Sequence, residues 1–140
     1  MWAKRYRYVG PHDLKALAAA PTERVHVVNP RAVQHWITTT QSPNRGHTYV
    51  ATFVIDAAAQ LWIADQHSEH VACARGAAVL SAGEMTFVVS NQVCVSAITN
   101  QSTGYCPEPA SWPSVQRVLD QRHHLPTMAQ RLLAMEVVSK

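Results

Sequence analysis

"TYVATFVIDAAAQLWIAD", Thr48 to Asp65, decides how this chain is read. Its two apolar runs, "TYVATFVI" and "LWIAD", are rich in β-branched and aromatic residues, which suit a pleated, half-buried surface. Between them stands Asp56-Ala57-Ala58-Ala59-Gln60. The stretch predicts an antiparallel β-hairpin with a loop of about five residues. Downstream, "EHVACA" (69–74), "AAVL" (77–80), "MTFVV" (85–89) and "VCVSAIT" (93–99) read as further short strands. Turns are expected near Arg75-Gly76, Ala82-Gly83 and Ser90-Asn91-Gln92. Consecutive short strands joined by tight turns predict a curved antiparallel meander.

Upstream of the hairpin, "WAKRYRYVG" alternates and predicts a strand. Gly10-Pro11 breaks it and starts a helix whose apolar stripe is Leu14, Leu17 and Ala18, and Pro21 stops that helix. "RVHVV" (Arg24 to Val28) is a second short strand. Asn29-Pro30 then marks a helix start, an amide to cap followed by a proline that misses no N–H, with Val33, Trp36 and Ile37 at helical spacing. "TTTQSPNRG" (Thr38 to Gly46) reads as a surface loop. Past the meander, Ser111 or Trp112 opens a helix that turns Trp112, Val115, Val118 and Leu119 inward. The reading is an α+β domain over residues 1–122: an antiparallel sheet, two short N-terminal helices and C-terminal helical packing. Residues 123–140, with Met128, Leu132 and Met135 on one helical face, form a tail expected to pack on the domain or across a homodimer.

Composition bounds the function. A 140-residue chain that is 47% hydrophobic and 15% charged has the material for one folded domain and does not fit intrinsic disorder. The net charge of +3 is mild, and Lys4, Arg5 and Arg7, interleaved with Trp2, Tyr6 and Tyr8, are the only tight basic cluster. Three cations make a weak footprint for a nucleic acid, so they are read as the solvent face of an edge strand. No apolar run approaches the ~20 residues a membrane helix needs. Cys73, Cys94 and Cys106 are odd in number and widely spaced. With no recognisable signal peptide, they predict reduced thiols in a cytoplasmic protein.

His67, His70 and Cys73 have the spacing H-x-x-H-x-x-C, and imidazole and thiolate are zinc ligands. Residues 69–73, read as a strand, send His70 and Cys73 to opposite faces, so no metal and no cofactor is expected. His123-His124 are read as connection residues. Asp65, Glu69 and Glu84 are read as strand-end or turn residues rather than general bases.

"TNQSTGYCPEPASW" (Thr99 to Trp112) is the one connection dense in chemistry. Asn100, Ser102 and Thr103 can bond nearby backbone, Gly104 permits left-handed backbone, and Pro107 and Pro109 stiffen the exit from the turn, as a rigid corner requires. A corner has no need of Tyr105, Cys106 and Glu108. The loop over 99–109 is therefore the candidate site, with Glu69, His70, Asn100, Ser102, Thr103, Tyr105 and Glu108 presenting polar groups to a small ligand or a partner protein. The alternative is a thiol-dependent enzyme in which Cys106 attacks and His70 is the base. No glycine-rich phosphate cradle and no nucleophile elbow is present in the sequence.

The stretches "RYRYVGPHDLKAL", "TYVATFVIDAAAQLWIADQHSEHVACARG", "VLSAGEMTF" and "TNQSTGYCPEPASW" resemble a family of uncharacterised bacterial proteins, over about residues 5 to 120. Members often continue into a cysteine-rich zinc ribbon. Here Cys106 is the final cysteine and "HHLPTMAQRLLAMEVVSK" stands in the ribbon's place. The resemblance with that departure implies a bacterial origin, no ribbon zinc, and a truncated or rearranged C-terminus of the kind a gene on a mobile element would carry. It brings no assigned activity and no catalytic residues.

Overall fold

The computed structural model describes residues 4–19, 23–41, 48–89 and 91–122. Five strands, β1 (Val25–His26), β2 (Thr48–Asp56), β3 (Leu61–Asp65), β4 (Val79–Val89) and β5 (Val93–Ile98), form one open antiparallel sheet in the order β1-β3-β2-β4-β5. The fold class is α+β, as the sequence predicts. The β2–β3 hairpin lies where expected. Ile55 pairs with Leu61 around the five-residue loop, and Asp56 Oδ1 accepts from the Ala58 and Gln60 N–H groups at 2.9 Å each.

Four α-helices complete the described fold: α1 (His12–Lys15), continued as a 3-10 turn over Ala16–Ala19, α2 (Pro30–Thr40), α3 (His70–Cys73) and α4 (Trp112–Arg117), the last entered by a 3-10 turn (Pro109–Ser111) and continued as a π turn (Val118–Arg122). Asn29 caps α2 by accepting from Ala32 N–H at 3.1 Å, a contact worth about 1 kcal/mol at such positions. Thr38 to Thr40, expected in a loop, instead form the last turn of α2. Their hydroxyls donate back to the carbonyls of His35 and Trp36 one turn earlier, which keeps the three side chains bonded within the helix.

Further expectations are corrected. "EHVACA" is not a strand. Ala72 and Cys73 N–H donate to Glu69 O, and the turn closes at Arg75-Gly76, both at positive φ, with Gly76 N–H on Val71 O. "AAVL" and "MTFVV" are parts of one eleven-residue strand, with no turn at Ala82-Gly83. Gly83 is needed for another reason: a Cβ there would lie 1.9 Å from Thr99 O, so it marks a close approach of two backbones inside the sheet. The N-terminal strand reduces to a single bridge, Tyr6 to Val79, and Leu17 of the α1 stripe is exposed. The meander is also broken once. After β3 the chain crosses over β2 through α3 and joins the far edge of β2 as β4. Residues 123–140 lie outside the described residues, and with them the expected tail.

Both faces of the sheet are covered. On one, Phe53, Ile55, Leu61, Ile63, Met85, Phe87, Val93 and Val95 pack against Val33, Trp36 and Ile37 of α2 and Val115, Val118 and Leu119 at and after α4. On the other, Val54, Ala64, Val79 and Ala82 meet Tyr6, Tyr105 and the α3 residues Val71 and Cys73. Two bulges keep the alternation in phase with the cores. Pairing jumps from Ile55–Ser81 to Asp56–Val79, leaving Leu80 extra, and from Thr86–Ala97 to Phe87–Val95, leaving Ser96 extra. Each inserted residue reverses which parity faces inward, so Leu80 and Ile98 join the helical face although their numbers are even.

Candidate functional site

The connection after β5 folds into a compact corner. Asn100, only 5% exposed, donates through Nδ2 to Pro107 O at 2.9 Å and so ties the two ends of the loop. Ser102 Oγ accepts from Tyr105 N–H, and Cys106 N–H donates to Ser102 O at 2.7 Å, which closes one helix-like turn. Tyr105 is buried among the Val54–Tyr6 cluster, donates its hydroxyl to Ala77 O at 2.9 Å and packs edge-on against Tyr8. Burial pushes the Tyr105 phenol up to about 12, with smaller contributions from Cys73 and Tyr8. The N-terminal arm is strapped across the corner by Val9 N–H on Gly104 O and by the exposed Lys4–Glu108 ion pair.

Asn100, Ser102 and Tyr105 are thus turned inward and build the corner, while Thr103 and Glu108 are exposed. Cys106 is half-buried, sits at φ 48°, and donates its thiol to Thr103 O at 3.3 Å. His70 is engaged elsewhere, through Nε2 on Gly83 O at 2.8 Å. A carbonyl can only accept, so Nε2 carries the proton and the neutral ring keeps its lone pair on Nδ1. Cys106 and His70 therefore do not meet as a hydrogen-bonded pair.

What the fold does bring together is a cleft of about 220 Å³ beside the corner. Thr52 and Glu84, direct partners in the β2–β4 ladder, belong to it. The turn before α3, with Glu69 and His70, lines one part, and Gln101 and Thr103 another. Thr52 Oγ1 lies 3.1 Å from Ser68 O and 3.3 Å from Gln66 O, so a strand hydroxyl anchors the crossover. The His70 bond to Gly83 O anchors its other end to β4. Burial holds the His70 imidazole below the ordinary histidine range, against the raising effects of the Gly83 carbonyl and the Glu69 carboxylate.

Of the residues singled out in the sequence, Glu69, His70 and Thr103 line this cleft, as does His67 of the zinc-like spacing. Asn100, Ser102 and Tyr105, turned inward in the corner, and Cys106 and Glu108 are not among its lining. Thr52, Gln66, Ser68, Glu84 and Gln101 were missed. Glu84 stands in the middle of β4 rather than at a turn. The residues of the H-x-x-H-x-x-C spacing also separate, for a different reason than strand alternation. Cys73 is fully buried within α3 with its thiol pushed up to about 12 by desolvation, whereas His67 is exposed in the preceding turn. Among the described residues no three His, Cys, Asp or Glu side chains are grouped to hold a metal ion, and no helix is long and apolar enough to cross a membrane. Compared with family models, curated proteins and solved structures, the chain matches none.

Proposed function

We propose that this protein is a binding module whose small, polar cleft takes a donor-rich ligand, an amine or a polyol, beside the 99–109 corner. The observation that supports this is the convergence of acceptors from three separate segments: the Glu84 carboxylate of β4, Glu69 and His70 at α3, and the Gln101 and Thr103 side chains after β5. The His70 Nδ1 lone pair and two carboxylates favour a ligand that brings N–H or O–H groups. A cleft of about 220 Å³ suits a ligand of a few heavy atoms or the tip of a partner's side chain. The thiol-dependent alternative, with Cys106 as nucleophile and His70 as base, has less support, since the Cys106 thiol is directed to the Thr103 carbonyl and Cys106 is not in the cleft lining that holds His70. Bacterial origin, a cytoplasmic location and a homodimer through residues 123–140 belong to the same reading and rest on the sequence alone.

The test is a thermal-shift screen of the full chain against small amines and polyols, repeated on Glu84→Gln, His70→Asn and Cys106→Ser. Stabilisation is expected in the parent and in Cys106→Ser and is expected to fall in the other two. Ligands that stabilise all four proteins equally, or none at all, would remove the cleft from consideration. Loss confined to Cys106→Ser would move the case to the thiol.

A further inference from the structure

A second concavity, about 680 Å³, lies at the β1 edge of the sheet, where the C-terminal half of α2 meets β1 and the residues after α3. Arg24 and Arg75 both line it, with His35, Thr39 and Gln41 on the α2 side. Arg24 is held rigidly. Its guanidinium lies 3.7 Å from the centre of the Trp62 ring, and Nη1 donates to Cys73 O at 3.0 Å. Its Nε is buried with no hydrogen-bond partner. Arg75 occupies a left-handed position (φ 52°) next to Gly76.

Among the described residues the only ion pair is Lys4–Glu108, so neither guanidinium is neutralised by a carboxylate within 4 Å. The Glu23 and Asp65 carboxylates line the same groove and oppose an anion there, Asp65 Oδ1 also accepting from His67 N–H, so the guanidinium groups must outweigh them. Burial, and then the charge of Arg75, depress the Arg24 guanidinium, while Arg75 itself is exposed. A fixed, stacked guanidinium in the same lining as a second one is suited to planar, bidentate recognition of an oxyanion.

We infer that this groove is a second ligand site, independent of the polar cleft, which binds a small organic anion by seating its carboxylate or phosphate between Arg24 and Arg75. Trp36 and Val25 in the lining offer apolar surface for the rest of the molecule.

Isothermal titration calorimetry of the full chain tests this, with inorganic phosphate, pyrophosphate and succinate as probes and chloride holding the ionic strength constant. Saturable one-to-one binding is expected for at least one probe, and the tighter of the phosphate and succinate arms names the oxyanion. Loss of one charge-assisted contact in Arg75→Gln is expected to weaken it at least about tenfold. Because Arg24 also braces Cys73 and Trp62, Arg24→Lys serves as the second variant, keeping the charge and losing the fork. It too should weaken binding, while His70→Asn should leave it unchanged. No saturable heat with any of the three anions, or full affinity in Arg75→Gln, would overturn the inference.

Discussion

The two faces of the sheet are built on different principles. The helical face buries Phe53, Phe87, Met85, Leu61 and a series of branched aliphatics under α2 and α4. The opposite face carries Ala64, Ala74, Ala82, Val54 and Cys73, with Tyr6 and Tyr105 as its large buried side chains. Small side chains leave room for backbone to lie directly on the sheet, and there α3, the corner after β5 and the N-terminal arm do so. Those segments are too short and irregular to satisfy their own polar groups, so the sheet and its neighbours do it for them. Thr52 serves the 66–68 turn, Gly83 serves His70, Asn100 serves Pro107 and Ala77 serves Tyr105. One face is held by a large apolar area, the other by a smaller apolar cluster reinforced by hydrogen bonds. The polar cleft opens on the second because side chains committed to backbone stand there beside side chains that are not.

That contrast can be broken at its strongest point first. Phe53 is fully buried at the centre of β2 on the helical face. Phe53→Ala should cost about 3–5 kcal/mol in urea unfolding, through lost transfer energy and a cavity that α2 cannot close. A loss near that of an exposed site would mean the helical face is not the main core. Asn100→Ala, on the other face, removes one buried hydrogen-bonding side chain and leaves the Pro107 carbonyl without that donor. The expected loss is smaller, about 1–3 kcal/mol. Native-state hydrogen exchange should place the effect in residues 99–109, with the β2–β3 ladder unmoved. A global loss as large as that of Phe53→Ala would mean the corner belongs to the main cooperative core. Since Asn100 points inward, any change in ligand binding in this variant would be indirect.

Most of the helical face was legible in the sequence, because its signals are local. The alternation of "TYVATFVI", the turn-forming Asp56 and the Asn29-Pro30 start each act within a few residues of themselves. The other face was misread where a long-range contact overrides a local signal. Gly83 looks like a turn until Thr99 is known to cross it, and "EHVACA" alternates like a strand although its N–H groups are taken by Glu69 O and His70 O. The cleft was half visible for the same reason. Glu69, His70 and Thr103 stood out by type, but Thr52 and Glu84 become neighbours only through the β2–β4 register, which depends on the crossover. Arg24 and Arg75 carry no motif at all. They are brought to one groove by the edge strand β1 and by the turn that ends α3.

The smallest expected effect is the most informative about the cleft, because it asks whether His70 behaves as part of the interior. Burial lowers its proton affinity in the folded chain relative to the unfolded one. Between its depressed folded value and about 6.5, the unfolded chain binds a proton that the folded chain refuses. Unfolding free energy therefore rises with pH across that window, and stability is lost as the pH falls below about 6.5. In His70→Gln that part of the slope should vanish, leaving the contributions of the other histidines and the carboxylates, so the difference between the two profiles isolates one imidazole. Parallel profiles would mean that water enters the cleft freely enough to hydrate the imidazolium. A divergence that appears only below pH 6.5 would mean that burial keeps the ring neutral, with Nδ1 available as the acceptor that a donor-rich ligand requires.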